Sequence, residues 1–316
     1  MHAAAIDLRG GVSPRGTLLR GQSIIEYVLI IAVIGLVIVF VGPGVAGAIR
    51  NQFNLVGNTV NNGTTGGVEG GASGGGSAGS DSATVQAAIA KNFQDWTLDE
   101  QKAIAEDIAK NGTSSIAYAK VKVAMDMGAT WSVKLTNGKT MAYRIVGINH
   151  DNLADGTGKA GLTFEAANKA LAYHRMNATD TNAGGWEKSE LRGRLNTGDL
   201  WSLLPSELQS KVKTVTKMTD NKGGGSAGTP SATTDKVFLL SSTEVFGDLD
   251  GDGAQYEFYK SKSWGSDNFA SGYTHWTRSV CPNRSTGFYY VDFSGGKCDY
   301  DGGATHTYYV FPTWCF

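Results

Sequence analysis

From Ile24 to Val41 the chain is apolar except at Glu26, and Tyr27 to Val41 is an unbroken apolar run of 15. The 18 positions counted from Ile24 sit at the short end of a bilayer span. Helical spacing continues through Ala46, Ile49, Phe53 and Val56, which predicts one long hydrophobic helix over 22–56. Gly42-Pro43-Gly44 interrupts it, because proline removes a backbone donor and the flanking glycines loosen the turn. Gly42 either ends the membrane segment or supplies a flexible point for packing. The pattern then vanishes over 57–83, where nine of the twenty residues 61–80 are Gly. Such a segment is expected to behave as a coil with a root-mean-square reach of roughly 25–30 Å.

Patterning resumes near Thr84. Val85, Ile89, Phe93 and Trp96 have helical spacing, Thr97 and Glu100 match a capping box, and Asn111-Gly112 is a stop signal. These two helices read as core or as a stalk. Residues 131–146 alternate around Asn137-Gly138, which predicts a β-hairpin. Helices are expected over 164–176, 191–204 and 206–212, and a loose loop over 223–231. Strands are expected over 237–240, 275–280, 288–293 and 308–311. Helices and strands without regular alternation predict an α+β class. The pattern divides the chain into an amino-terminal segment (1–21), a hydrophobic helix (22–56), a Gly/Ser-rich linker (57–83) and an α+β head (84–316), itself divided into a helical lead-in (84–129) and a core (130–316).

Composition narrows the function. Lys+Arg 28 against Asp+Glu 29 leaves a net charge of -1, which argues against a nucleic-acid partner. The 43 glycines are about twice the usual ~7% share, but 10% aromatic residues speak for a folded head. Three cysteines exclude both a disulfide-dense scaffold and a four-cysteine zinc site. The five histidines form no H-E-x-x-H, G-x-S-x-G is absent, and the glycine-rich stretches lack the Lys-Ser/Thr of a phosphate loop. His150, Asp151, Asp155 and Glu165 are acid–base capable, yet no spacing compels them into one site. The expectation is a protein without enzymatic activity.

Residues 1–21 carry Arg9, Arg15 and Arg20 against Asp7 alone. A secretory signal would show a clean cleavage site after a short apolar core. Here a carboxylate lies inside the apolar segment, where it is costly unless paired. Gly21-Gln22-Ser23-Ile24-Ile25-Glu26-Tyr27 resembles the processing site of type IV prepilins, and the Glu-Tyr pair resembles the Flp (Tad) subgroup. The resemblance implies that residues 1–21 are a leader, removed by a prepilin peptidase that cuts between Gly21 and Gln22. It also implies a retained helix and pairing of Glu26 with the new amino terminus of a neighbouring subunit. Burial makes both of those charges seek a partner. Tyr27 shares the assembly role. The implied partners are other copies in a helical filament and the pilus assembly machinery, and the implied location is the cytoplasmic (inner) membrane, then an extracellular pilus or cell surface. Flp pilins are usually short, whereas this chain runs on far past the helix. The alternative is a membrane-anchored surface binding protein that does not polymerise.

A second resemblance covers about 130–316. Gly185-Trp186, Ser189, Leu191-Arg192 and Leu195-Asn196 are followed by Val237-Phe238-Leu239-Leu240-Ser241 with Glu244-Val245. Tyr256-Glu257-Phe258-Tyr259-Lys260 and Trp276-x-Arg278-Ser279 complete the series. Together they are similar to an uncharacterised bacterial extracellular domain family with C-type-lectin-like and formylglycine-generating-enzyme-like character. That resemblance implies that Val310 to Phe316 supplies a terminal strand closing the fold.

Candidate sites in the head follow from residue types. Arg192 and Arg278, beside apolar positions, are expected to pair with carboxylates, with Glu187, Glu190 and Glu244 available. Asp248, Asp250 and Asp252 with Gly253 match the first half of a calcium loop. The twelfth position is Tyr259, and Glu257 falls two positions early, so a solvated acidic turn is the competing reading. No other cofactor is expected. Cys281, Cys298 and Cys315 crowd the carboxyl end, and Cys281–Cys298 is the favoured disulfide outside the cytoplasm. The dense aromatics of 256–316 form either core or a stacking surface for a carbohydrate or protein ligand.

Overall fold

The computed structural model describes residues 78–247, 251–262, 272–294 and 297–316, and side chains within these except those of 78–82 and 297–301. The leader, the apolar segment 22–56 with Glu26 and Tyr27, and linker residues 57–77 lie outside the described residues, whereas 78–83, expected to be coil, are helical. No helix among the described residues is long and apolar enough to cross a membrane.

Three helices lead in: α1 (Ala78–Ala90), α2 (Leu98–Asn111) and α3 (Tyr118–Asp126). The Thr97–Glu100 capping box starts α2, and Gly112 at φ +56 follows its last turn. These helices are core, not stalk. Val85, Trp96, Ile104, Ile108 and Val121 are all buried. Trp96 stacks on Trp131 at 5.9 Å, and its Nε1 donates to the Ala88 carbonyl at 2.8 Å. A Cβ at Gly161 would lie 1.8 Å from the Ala105 carbonyl oxygen, so only glycine lets α2 approach that closely.

β1 (Thr130–Lys134) and β2 (Thr140–Ile148) form the expected hairpin, with Trp131 opposite Tyr143. Gly138 closes the turn at φ +82, donating to the Leu135 carbonyl at 2.9 Å. β3 (Leu162–Ala166) and β4 (Tyr173–His174) replace the helix expected over 164–176. All five β3 residues are buried. A strand covered on both faces loses the polar alternation that marks strands in sequence, so its apolar spacing mimics a helix.

α4 (Gly185–Lys188) is a short helix outside the expected spans, and α5 (Glu190–Asn196), α6 (Asp199–Leu203) and α7 (Ser206–Gln209) follow as expected, the last starting after Pro205. β5 (Val215–Thr219) and β6 (Ser231–Asp235) then form a two-stranded sheet flanking the glycine-rich loop, neither of them anticipated. β7 (Val237–Phe238), α8 (Ser242–Phe246), α9 (Glu257–Lys260), β8 (His275–Val280), β9 (Gly287–Val291), β10 (Lys297–Gly303), β11 (Tyr308–Tyr309) and β12 (Thr313–Cys315) complete the chain.

The strands make two five-stranded sheets, β1-β2-β3-β12-β7 and β10-β9-β8-β11-β4. Every pairing in the first is antiparallel, and β11–β8 is the parallel one in the second. β12 lies inside the first sheet, with Trp314 opposite Phe164 on β3 and Val237 on β7. Trp131, Tyr143, Phe164, Trp314 and Phe316 form one aromatic cluster there, with ring centroids 4.9–6.5 Å apart. The class is mixed α+β.

Candidate functional site

The polar residues of the head motifs converge on two buried charged knots. Asp235, fully buried at the end of β6, anchors the first. It accepts from Arg192 Nε at 2.6 Å, Thr233 Oγ1 at 2.6 Å and Trp186 Nε1 at 3.2 Å. Arg192 also donates to the carbonyls of Glu187 and Thr234. Its carboxylate partner is thus Asp235, not Glu187, Glu190 or Glu244. Asp235 lies 43 positions away on the chain, and proximity in sequence could not select it.

The second knot is built round Glu244. Ser241 and Glu244 form a reciprocal capping box that starts α8 and fixes the carboxylate. Arg278 on β8, with no exposed surface, clamps it in bidentate fashion, one arm at 2.8 Å from Nη2. Arg278 also donates to Thr219 Oγ1 at 2.7 Å and to the carbonyls of Leu239, Met218 and Asp252. Lys217 on β5 joins them, with Nζ 2.6 Å from Glu244 and 2.5 Å from Asp151. Asp151 accepts from Thr163 Oγ1 at 2.5 Å, Tyr256 hydroxyl at 2.8 Å and Cys315 Sγ at 3.4 Å.

Electrostatics keep this knot ionised. Burial pushes the Asp151 and Glu244 carboxyls up, but Lys217 beside Asp151, and Arg278 and Lys217 beside Glu244, hold both below the usual carboxylate range. Burial likewise opposes the Lys217 ammonium, and the two carboxylates outweigh it. Burial and neighbouring Asp151 push the Cys315 thiol well up, so Cys315 is a buried free thiol without nucleophilic character. Both knots are internally satisfied, which makes them architecture and not an open binding site.

The acid–base residues that stand out in sequence end in separate bonds. His150 stacks on Tyr256 at 3.8 Å and meets Glu257 at 3.3 Å. Glu165 pairs with Arg144 at 3.0 Å and accepts from Tyr259 at 2.6 Å. Asp155 caps the Thr157 turn in solvent. In the acidic turn, Asp248 and Asp250 lie outside the described residues. Asp252 faces inward, accepting from Ser279 Oγ at 2.7 Å and the Asp220 amide at 2.8 Å, and burial raises its carboxyl. Glu257 is turned to His150. Among the described residues no group of three His, Cys, Asp or Glu is placed to hold a metal. Cys281 is buried just after β8. The Cys298 side chain lies outside the described residues, and with it the Cys281–Cys298 pairing.

The aromatics divide. Tyr256, Phe258, Trp276, Phe288 and Trp314 are core, while Trp264, Phe269 and the Tyr300 side chain fall outside the described residues. A tyrosine edge remains at β4 and β11. Tyr173, 56% exposed, stacks on Tyr309 at 4.0 Å, and Tyr273 meets Tyr309 edge-on at 5.1 Å. Lys169 Nζ sits 4.8 Å over the Tyr273 ring. A hydrogen bond with Tyr173 pushes the Tyr309 hydroxyl up to about 12. Ala172, immediately before Tyr173, is held at φ +62, a strained backbone for a residue with a Cβ. The edge therefore offers ring faces, phenolic hydroxyls and one amine. Tyr173 does not stand out in sequence, because its segment has helical apolar spacing and lies some hundred positions from the aromatic-rich end.

No curated protein and no solved structure matches the chain. Residues 162–312, which hold Arg192, Lys217, Asp235, Glu244, Arg278 and the tyrosine edge, match the model of a family described as "Domain of unknown function (DUF6273)".

Proposed function

We propose that the chain is a Flp-type pilin-like subunit that displays an α+β head on a filament or cell surface, with ligand held at the Tyr173–Tyr309 edge. The observation that carries this reading is the order of signals on the chain. A Gly21-Gln22 processing site and Glu26-Tyr27 precede the apolar run, and a glycine-rich tether then precedes the head. Support for a lectin-like head comes from β12, which lies beside β3, and from a second sheet with the exposed Tyr173 at its edge. Stacked rings flanked by hydroxyls and an amine suit a carbohydrate, whose C–H faces pack on aromatic rings while its hydroxyls take hydrogen bonds.

Two measurements test the two halves of this reading. Mass spectrometry of the mature protein is expected to find Gln22 at the amino terminus, and Gly21→Ala is expected to leave residues 1–21 attached. A native protein that keeps 1–21 is instead the non-polymerising surface anchor. For the head, binding to a glycan array is expected to fall at least tenfold in Tyr173→Ala, about 1.4 kcal/mol or more, with the melting temperature little changed because that ring is exposed. Equal binding by both proteins removes the tyrosine edge from the proposal.

A further inference from the structure

Lys217 Nζ lies between two carboxylates in the protein interior, 2.5 Å from Asp151 Oδ1 and 2.6 Å from Glu244 Oε1. The lysine and aspartate side chains are only 4% and 2% exposed. The amine also packs 4.4 Å over the Phe238 ring. Tyr256 and Thr163 hydroxyls both donate to the Asp151 carboxylate. An amine is thus pressed on a carboxyl group in a dry, aromatic-walled site, with donors on the acceptor oxygens and a second carboxylate on the amine.

We propose that Lys217 and Asp151 condense into an intramolecular amide bond, with Glu244 as the proton carrier. The ammonium gives one proton to the Asp151 carboxylate along their short hydrogen bond, leaving a neutral amine and a carboxylic acid. Burial opposes both charges while each holds the other ionised, so this neutral pair is the minor form and the one that reacts. The nitrogen lone pair then attacks the carboxyl carbon. The Tyr256 and Thr163 hydroxyls stabilise the charge that develops on oxygen. Glu244 takes a proton from the nitrogen and returns it to the departing hydroxyl. The C–O bond breaks, one water leaves and the amide remains, with no oxidation or reduction.

Charge balance holds throughout. Before condensation two cations (Lys217, Arg278) face two anions (Asp151, Glu244). Afterwards one cation and one anion remain, still clamped together. The bond joins residues 66 positions apart, tying the loop after β2 to β5. The cross-link does not depend on the pilin reading or on the tyrosine edge.

Tryptic mapping of the denatured full chain tests it directly. The expected product is a branched peptide joining 145–159 to 214–222, lighter than the two separate peptides by one water, with no cleavage after Lys217. Asp151→Asn is expected to reach the same branched product by loss of ammonia, and Lys217→Met to yield linear peptides only. Linear peptides from the wild-type chain, with cleavage after Lys217 at full yield, would overturn the proposal. So would a branched mass that persists in Lys217→Met.

Discussion

Glu244→Ala is expected to destabilise the protein by about 3–5 kcal/mol, a larger loss than truncating any exposed charge would bring. The cost arises from what is left behind. Arg278 has no exposed surface and would lose the carboxylate that compensates its burial. Loss of the α8 capping box adds about 1 kcal/mol. Against a typical total of about 5–15 kcal/mol, this brings the variant close to unfolding at ambient temperature. The exposed pair Lys122–Asp126 sets the contrast. It is similarly close, yet its loss is expected to cost only about 0.3–0.5 kcal/mol, because water already solvates both partners. Urea denaturation of wild type, Glu244→Ala and Asp126→Ala compares them. A cost below about 1 kcal/mol for Glu244→Ala would contradict the burial of the knot.

Acid is expected to weaken the protein in a window set by His275. Burial pushes this imidazole down to about 4, and its Nδ1 lies 2.9 Å from the Tyr273 carbonyl oxygen, with the ring 4.5 Å from Phe311. In the unfolded chain the same group titrates near its ordinary value of 6.5. Between these values the unfolded state binds a proton that the folded state refuses, so stability falls as pH drops from about 6.5 towards 4. The full difference is on the order of 3 kcal/mol. Glu244 shifts in the direction that spares it from this window: its folded pKa is depressed, so its contribution is intact above the ordinary carboxylate range and is lost only at lower pH. Stability measured from about pH 7 to about pH 4 is therefore expected to decline in wild type and to decline less in His275→Phe, where the His174 imidazole, lowered by burial, still titrates in the same sense. An equal decline in both would assign the acid sensitivity to another group.

The tyrosine edge and the charged knots differ in how far the amino-acid order reveals them. Arg192, Arg278 and Glu244 stand out in sequence because charged residues inside apolar motifs need partners. Their partners do not stand out in the same way. Arg278 has Glu244, one of the three glutamates available nearby in the motifs, whereas Arg192 has Asp235, which lies outside that set. Lys217 and Asp151 meet only because the loop after β2 and the unanticipated strand β5 are brought together. Tyr173 and Tyr309 stack across β4 and β11, a pairing between short strands far apart on the chain.

What the amino-acid order determined by itself was local. The Thr97–Glu100 cap, the stop at Gly112, the hairpin through Gly138 and the helices around Pro205 each depend on contacts within a few residues, and short-range hydrogen bonds and backbone preference suffice for them. Tertiary structure decided whatever depended on burial from both sides or on distant partners. β3 became a strand because β2 and β12 enclose it, and β12 found its place between β3 and β7. The choice of counter-ion for each buried charge fell to the same level, since desolvation in the folded core, not spacing along the chain, makes one carboxylate indispensable and another irrelevant.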